Sequence, residues 1–507
     1  MSFISYGFLG FLLISLILYY LVPKKVQWFF LLLFSLLFYC SGGVPYVLFL
    51  LVTGTTIYKT AVVLSEIPRE KQKTRKRIFL LGIGANLVIF VVLKYVNFAI
   101  SNVNLLLGLL RSRSHLDFFD IVLPLGLSYY TLQAIGYLTD IYRGKYEAER
   151  HLGKFLLFLA FFPQLVQGPI SQFDELKKTL FSEHALNWKQ IMRGVQRMLW
   201  GLFKKLVIAN RVLPVVLAVG SNPKELGGVY TLIGMLAYTL ELYGDFTGGI
   251  DMAIGCAQMF GVCLPENFDR PFVSVSLAEY WRRWHMSLMK WFREYVFYPL
   301  SVSNCAGCLM KYGKKFLSKK KAARLPVYFA SLVTWFLTGI WHGASWNFVV
   351  WGIMNCVIIL VSQELAPVYR KFHKKYEFSN GKLYHIFAVL RTMFLVSTVQ
   401  MIEYYPSPVT AFSAFVMMIP TFQIRELFGE HFLMLGISGG DILILLGGVC
   451  LFCLTGFWKG RKSLQEWIEN WNGAIRFMVW MGLLFATLIL GVYGQGYDAG
   501  QFIYNQF

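Results

Sequence analysis

At 507 residues, with 56% hydrophobic and only 15% charged residues and a mean hydropathy of +0.54, the chain is far more apolar than a soluble domain, where about a quarter of residues carry charge. That composition excludes an ordinary soluble enzyme and predicts a polytopic membrane protein. The net charge of +21 does not argue for nucleic acid, because Lys and Arg cluster in short loops between apolar runs, as in "PREKQKTRKR", "KYGKKFLSKKKAAR", "YRKFHKK" and "WKGRK"; this is the positive-inside pattern, with anionic membrane lipid as its partner.

The first apolar run, 6–22, has neither a basic n-region nor an A-x-A-like cleavage site and reads as a retained spanning helix. Runs at 26–40, 44–64 and 78–98 follow, each near the roughly 20 residues that a crossing needs or short enough to need a hairpin partner. Lys24 and Lys25 mark the inner side after the first span, so the amino terminus is expected outside and the basic loop 66–77 inside. Further spans are predicted at 121–138, 206–220, 229–243, 327–339, 348–365, 386–402, 442–457 and 475–492. Roughly 12 crossings then set the carboxyl terminus outside. With no internal repeat or low-complexity stretch, a single integral-membrane domain over 1–507 is expected.

Two runs are interrupted, "LAFFPQLVQGPI" and "ELYGDFTGGIDMAIG". Broken backbone at membrane depth is tolerated only where it is buried in protein or lines a wet cavity. The 8 cysteines include two C-x-x-C pairs, Cys305 with Cys308 and Cys450 with Cys453. The first pair sits in a loop placed inside and the second in an apolar helix, so the two do not combine as a zinc site, and no metal is expected.

Polar residues in or beside apolar segments carry the functional signal, because an ionisable group at bilayer depth costs about 2.5–3.5 kcal/mol on insertion scales. His342 follows Trp341 at the end of "VTWFLTGI" and precedes Gly343, a residue that admits close backbone approach. It is either a buried histidine bonded to a neighbouring carbonyl or a general base. An imidazole, with an ordinary pKa of about 6.5, can take a proton from a hydroxyl at neutral pH, and against a thioester that hydroxyl completes an acyl transfer. His285 lies in "EYWRRWHMSLMKWFREYVFYPL", which sets Trp281, Trp284, Trp291 and Phe292 among Arg282, Arg283, Lys290 and Arg293. That pattern predicts an interfacial helix with aromatics at headgroup level; its arginines also suit a phosphorylated donor.

"PENFDRPFVSVSLAEYWRRWHMSLMKWFREYVFYPL" followed by "LTGIWHGASWNFVVWG" resembles the membrane-bound O-acyltransferases, MBOAT, in their bacterial branch of alginate O-acetylase-like polysaccharide O-acetyltransferases. The teichoic-acid D-alanyl transferases are more distant relatives. "LPLGLSYYTLQAIGYLTDIYRG", "FFPQLVQGPI", "GLFKKLVIANRV" and "YGDFTGGIDMAIGCAQMFG" extend the likeness as ordered blocks over 123–351. The resemblance implies an all-α fold of about 12 transmembrane helices, with re-entrant and interfacial helices around a central tunnel. It implies that His342 is the catalytic histidine and His285 its companion. Trp281, Arg282, Arg283, Trp284 and Trp341 become candidates for the tunnel or the donor site. Asp245 and Asp251 become candidate tunnel-wall residues, with structural hydrogen bonding the alternative. No tightly bound cofactor is implied. Acetyl-CoA is the implied thioester donor, an extracytoplasmic serine hydrolase-like acetyltransferase the implied partner, and a polysaccharide or wall polymer the acceptor, at the bacterial cytoplasmic membrane.

The end of the chain, "FIYNQF" at 502–507, is similar to the F-x-Y-x-x-F tail of the acetylase branch, a motif that the D-alanylation system carries on a separate small membrane peptide. Placed outside, Tyr504 could receive the acyl group and pass it on; the alternative is an interfacial anchor. The chain departs from the branch in "YGDFTGGID", in "SVSNCAGCLMKYGKK" and in "MIEYYPSP", which leaves the polymer open. It carries no G-x-S-x-G, P-loop or Rossmann signature. A transporter or flippase and an idle assembly scaffold are the competing classes; no pair of matching halves favours the former.

Overall fold

The computed structural model describes residues 1–112, 114–221, 226–457 and 464–493, and the regular structure among them is entirely helical. Among the described residues six helices are long and apolar enough to cross a membrane: Val44–Glu66, Gln72–Leu109, Lys319–His342, Trp346–Glu364, Lys382–Tyr404 and Gly473–Leu490. Tyr6–Leu21, Pro408–Met417 and Gly439–Phe452 are apolar but shorter. The chain divides into two compact units, 1–198 with 252–265, and 199–251 with 266–507.

The first unit contains α1 (Tyr6–Leu21), α2 (Gln27–Cys40), α3 (Val47–Glu66), α4 (Gln72–Leu109), α5 (Leu127–Arg143), α6 (Leu152–Ala160) and most of α7 (Trp188–Phe203). Ser5 starts α1 by accepting the Phe8 N–H at 3.1 Å, and edge-on rings from Phe8, Phe11, Phe34 and Phe38 lock α1 to α2. One guanidinium joins three helices: Arg75, near the start of α4, donates to the carbonyls of Leu64, of Ile67 at 2.9 Å and of Tyr142 at 3.1 Å. It thereby satisfies orphan carbonyls at the ends of α3 and α5. The 38 residues of α4 rise about 57 Å, well beyond the predicted run 78–98. The interrupted "FFPQLVQGPI" segment leaves α6, makes one short turn over Phe162–Leu165 and is buried except for the half-buried Val166, with Gln164 and Gln167 at most 2% exposed. Irregular backbone here is enclosed in protein, as its depth requires.

The second unit begins with the end of α7. There the helix widens into a π-helical stretch, Lys204–Ala209, before α8 (Asn210–Ser221). Next comes α9 (Gly228–Met259), whose last turns belong to the first unit. The glycine-rich "ELYGDFTGGIDMAIG" was expected to break a helix; it runs through α9 without interruption. Its glycines serve contact rather than bending: a Cβ on Gly248 would lie 2.8 Å from the Gly201 carbonyl oxygen, and one on Gly244 3.2 Å from that of Lys204. Two short helices, α10 (Leu277–Arg283) and α11 (Met286–Phe292), precede the long helices α12 (Leu325–His342), α13 (Trp346–Glu364) and α14 (Lys382–Tyr404). The last two long helices are α15 (Gly439–Phe457) and α16 (Gly473–Leu490), with a short turn of helix at Leu464–Ile468 between them. Residues just beyond α16 are tied back to the π-helical stretch, with Val492 N–H donating to the Leu206 carbonyl at 2.9 Å and Asn210 Nδ2 to the Val492 carbonyl at 3.1 Å.

Candidate active site

The segment around His285 is not the continuous interfacial helix that its pattern predicts. Ser276 caps α10 by accepting the Glu279 N–H at 3.2 Å. The helix stops when Trp284 turns extended and His285 enters the left-handed region at φ +46°. Histidine is among the side chains that tolerate this conformation, and such residues cluster at functional sites. The break rotates the following residues inward, leaving His285 1% and Trp284 2% exposed. The tryptophans therefore pack inside the protein instead of standing at headgroup level. Trp284 stacks on Tyr280 at 5.4 Å and meets the edge of Phe268 at 5.0 Å.

A loop running along the break fixes it from both sides. Asp269 N–H donates to the Arg283 carbonyl and Met286 N–H to the Asn267 carbonyl, both at 2.9 Å. The buried Asn267 side chain then reaches His285: its amide edge lies 3.2 Å from Nδ1. The same Oδ1 accepts from the N–H and from the hydroxyl of Ser287, each at 2.9 Å.

His342 is the last residue of α12 and is buried. α12 and α13 approach at Gly339 and Gly352, where a Cβ on Gly339 would come within 3.5 Å of the Gly352 Cα. Asn347, in the first turn of α13, donates to the carbonyls of Ile402 and Tyr405, both at 2.7 Å, which fixes the hairpin tip. The His342 ring lies 5.0 Å from Trp351 and 5.1 Å from Trp341, and 6.2 Å from a nearly parallel Phe348. Trp341 is also 6.2 Å from the His285 ring, whose other side meets Phe246 edge-on at 4.8 Å. Both imidazoles thus share one tryptophan. Trp281 completes the wall: its indole N–H donates to Asn355 at 2.9 Å, and its ring touches Trp335 at 5.1 Å and Trp351 at 5.4 Å.

The other candidates fall around this wall. Asp245, fully buried, and Asp251, half-buried, both on α9, form ion pairs with Lys205 and Lys204 of the π-helical stretch. Glu241, one turn before Asp245 and also buried, lies within electrostatic reach of Asp245 and Lys205. Arg283 is held by Glu279 at 2.8 Å and by the Asp269 carbonyl at 3.3 Å, while Arg282 is exposed. Tyr504 and the 502–507 motif lie outside the described residues. Among the described residues no three His, Cys, Asp or Glu side chains gather as metal ligands.

Sequence reading missed Asn267, Ser287, Asn355 and the two lysines as site residues. The lysines left a signal, since "LFKKLV" puts two cations inside an apolar run and so demands buried anions.

A membrane-helix scaffold that buries two imidazoles on one aromatic wall has the makings of an enzyme that moves protons away from bulk water. Residues 148–405, which include both histidines and Asn267, match the membrane-bound O-acyltransferase family, MBOAT. The chain is 33% identical over 359 residues to a probable alginate O-acetylase AlgI of Pseudomonas putida, covering 70% of this chain and 69% of that protein. It is 30% identical over 400 residues to the peptidoglycan O-acetyltransferase of Helicobacter pylori, covering 73% and 70%. To the teichoic acid D-alanyltransferase of Bacillus subtilis it is 29% identical over 261 residues, covering 50% and 61%. The chain belongs to the membrane-bound O-acyltransferase family, and it is a multi-pass membrane O-acyltransferase.

Proposed function

We propose that this protein takes an acetyl group from a cytosolic thioester, acetyl-CoA, and transfers it across a bacterial cytoplasmic membrane toward O-acetylation of an extracytoplasmic polysaccharide or wall polymer. The observation that carries this reading is the meeting of His342 and His285 on Trp341. A buried aromatic wall excludes water, which would otherwise intercept the thioester. His342 removes the proton as an acceptor hydroxyl attacks the thioester carbonyl; the new C–O bond forms, the C–S bond breaks, and the proton leaves with the sulfur as free thiol. Roughly 12 crossings around a central tunnel give donor and acceptor access from opposite sides. Asp245 and Asp251 support that centre through their lysine pairs, and exposed Arg282 meets the phosphates of the donor.

Tyr504 serves as the outer acyl carrier in this scheme, handing the acetyl group to a serine hydrolase-like partner that acts on the polymer. The likeness to D-alanyltransferases supports a second reading, in which the acyl group is D-alanyl and the acceptor teichoic acid. The protein in lipid nanodiscs, supplied with acetyl-CoA, tests the first. His342→Ala, confirmed as folded, is expected to lower acetyl transfer by about 10²–10⁴-fold while donor binding persists. Transfer at the parent rate would remove His342 as the base. Tyr504→Phe keeps the aromatic anchor and removes the nucleophile, so unchanged polymer acetylation would eliminate the carrier step.

A further inference from the structure

The two histidines do not have equivalent chemistry, and Asn267 is what separates them. An amide side chain can be placed either way round, but here one neighbour has a fixed role. The Ser287 backbone N–H, 2.9 Å away, can only donate, so the atom facing it must be the Asn267 oxygen. That oxygen also accepts the Ser287 hydroxyl at 2.9 Å, which fills both of its lone pairs. His285 Nδ1 lies 3.2 Å from the Asn267 nitrogen and 3.3 Å from its oxygen; with both lone pairs of that oxygen taken by Ser287, the group left to bond Nδ1 is the Nδ2–H donor. Nδ1 must therefore accept, and the proton of the neutral imidazole resides on Nε2. His285 Nε2 is buried and has no hydrogen-bond partner among the described residues. Buried N–H groups are rarely left in that condition, and those at reaction centres are explained by an acceptor that arrives with the substrate.

We infer that His285 acts through its Nε2–H as the hydrogen-bond donor to the thioester carbonyl oxygen, and that Asn267 is the positioning residue that fixes this tautomer. This rests on the acyl-transfer reading above. As the hydroxyl oxygen adds to the carbonyl carbon, the π electrons move onto the carbonyl oxygen and His285 Nε2–H stabilises the resulting oxyanion. When the carbonyl re-forms, the C–S pair leaves with the thiolate, which takes the proton held by His342. His285 neither gains nor loses a proton over the cycle. The left-handed backbone at His285 and the two main-chain bonds flanking the break hold the ring to this geometry.

The tautomer can be read without turnover, by magic-angle-spinning NMR of the full chain in nanodiscs with 13C,15N-labelled histidine. The His285 signals are those lost in His285→Gln. At neutral pH the ring is expected to be protonated on Nε2 alone, and in Asn267→Asp, where both side-chain oxygens accept, Nδ1 should become protonated. An Nδ1–H form in the parent, or a ring unchanged by Asn267→Asp, overturns the inference. Kinetics supply the second arm. His285→Ala should lose about 10²–10³-fold in kcat, while His285→Gln, which retains a donor but cannot act as a base, should keep much of the activity and the parent's loss of rate toward acid pH. Equal loss in both variants would assign His285 to proton transfer instead. If His342→Ala proves fully active, the base assignment falls, yet the NMR result on His285 remains decisive for the tautomer.

Discussion

Lys204 and Lys205 sit side by side in an apolar run, 5% and 3% exposed, and the carboxylates of Asp251 and Asp245 face them. A buried ion pair contributes little over a well-packed apolar pair, but removing one member strands the other and costs about 3–5 kcal/mol. Lys205→Met leaves Asp245 and Glu241 as adjacent buried acids, so a marked fall in the thermal midpoint of the detergent-solubilised protein is expected. Adding Asp245→Asn should recover most of it, and a double variant as unstable as the single would show that the pair does not set local stability. The residues themselves divide by legibility. His342 and His285 could be found because a Trp-His dipeptide in an apolar setting is costly and rare. Asp245 and Asp251 are marked in the sequence only by the family-like block "YGDFTGGIDMAIGCAQMFG". Their partners could not be found, because the register between a π-helical stretch and α9 follows no fixed spacing. Asn267 is an ordinary loop asparagine until the fold brings it beside Nδ1.

Helix interruptions were the least predictable feature at the level of elements. α9 passes intact through Gly244, Gly248, Gly249 and Gly255, and neighbouring backbone takes the space beside Gly244, Gly248 and Gly255, whereas α10 and α11 separate at Trp284 and His285, where no glycine or proline marks the break. Pattern alone suggests the opposite in both places, since flexibility and close approach demand the same residue. The α12–α13 hairpin converts this into a testable statement. A Cβ on Gly339 would collide with the Phe348 carbonyl oxygen, and one on Gly352 with that of Trp335; these are main-chain atoms that cannot rotate away. Gly339→Ala is expected to cost about 1–3 kcal/mol by overpacking and to shift His342, three residues on, away from Trp351. Acetyl transfer should therefore fall further than thermal stability does. Gly10→Ala, in α1 with no atom within 4 Å, is the control and should change neither. A Gly339→Ala protein with parent activity would mean that the hairpin does not position the base.

The positive-inside pattern predicts how the whole molecule is oriented, and in the proposed transfer that orientation decides from which side the acyl donor arrives. Lys311, Lys314, Lys315 and Lys319–Lys321 precede α12, so the positive-inside pattern sets the start of that helix at the cytoplasmic face. From Leu325 to His342 the helix rises roughly 25 Å, most of a hydrocarbon core about 30 Å thick. In the acyl transfer proposed above, a thioester donor entering from the cytosol then reaches far along the protein, while an extracytoplasmic acceptor has the shorter path. Cys305 and Cys308 are exposed on the Asn304–Gly313 helix within the same basic region, and so report its side directly. In a variant that keeps Cys305 and the buried Cys256 and Cys356, with the remaining cysteines changed to serine, a membrane-impermeant maleimide should label inverted vesicles and leave right-side-out vesicles unmodified. Labelling from the outside instead would place the start of α12 on the outer face. His342 would then lie nearer the cytosol, and the long reach assigned to the donor would belong to the acceptor.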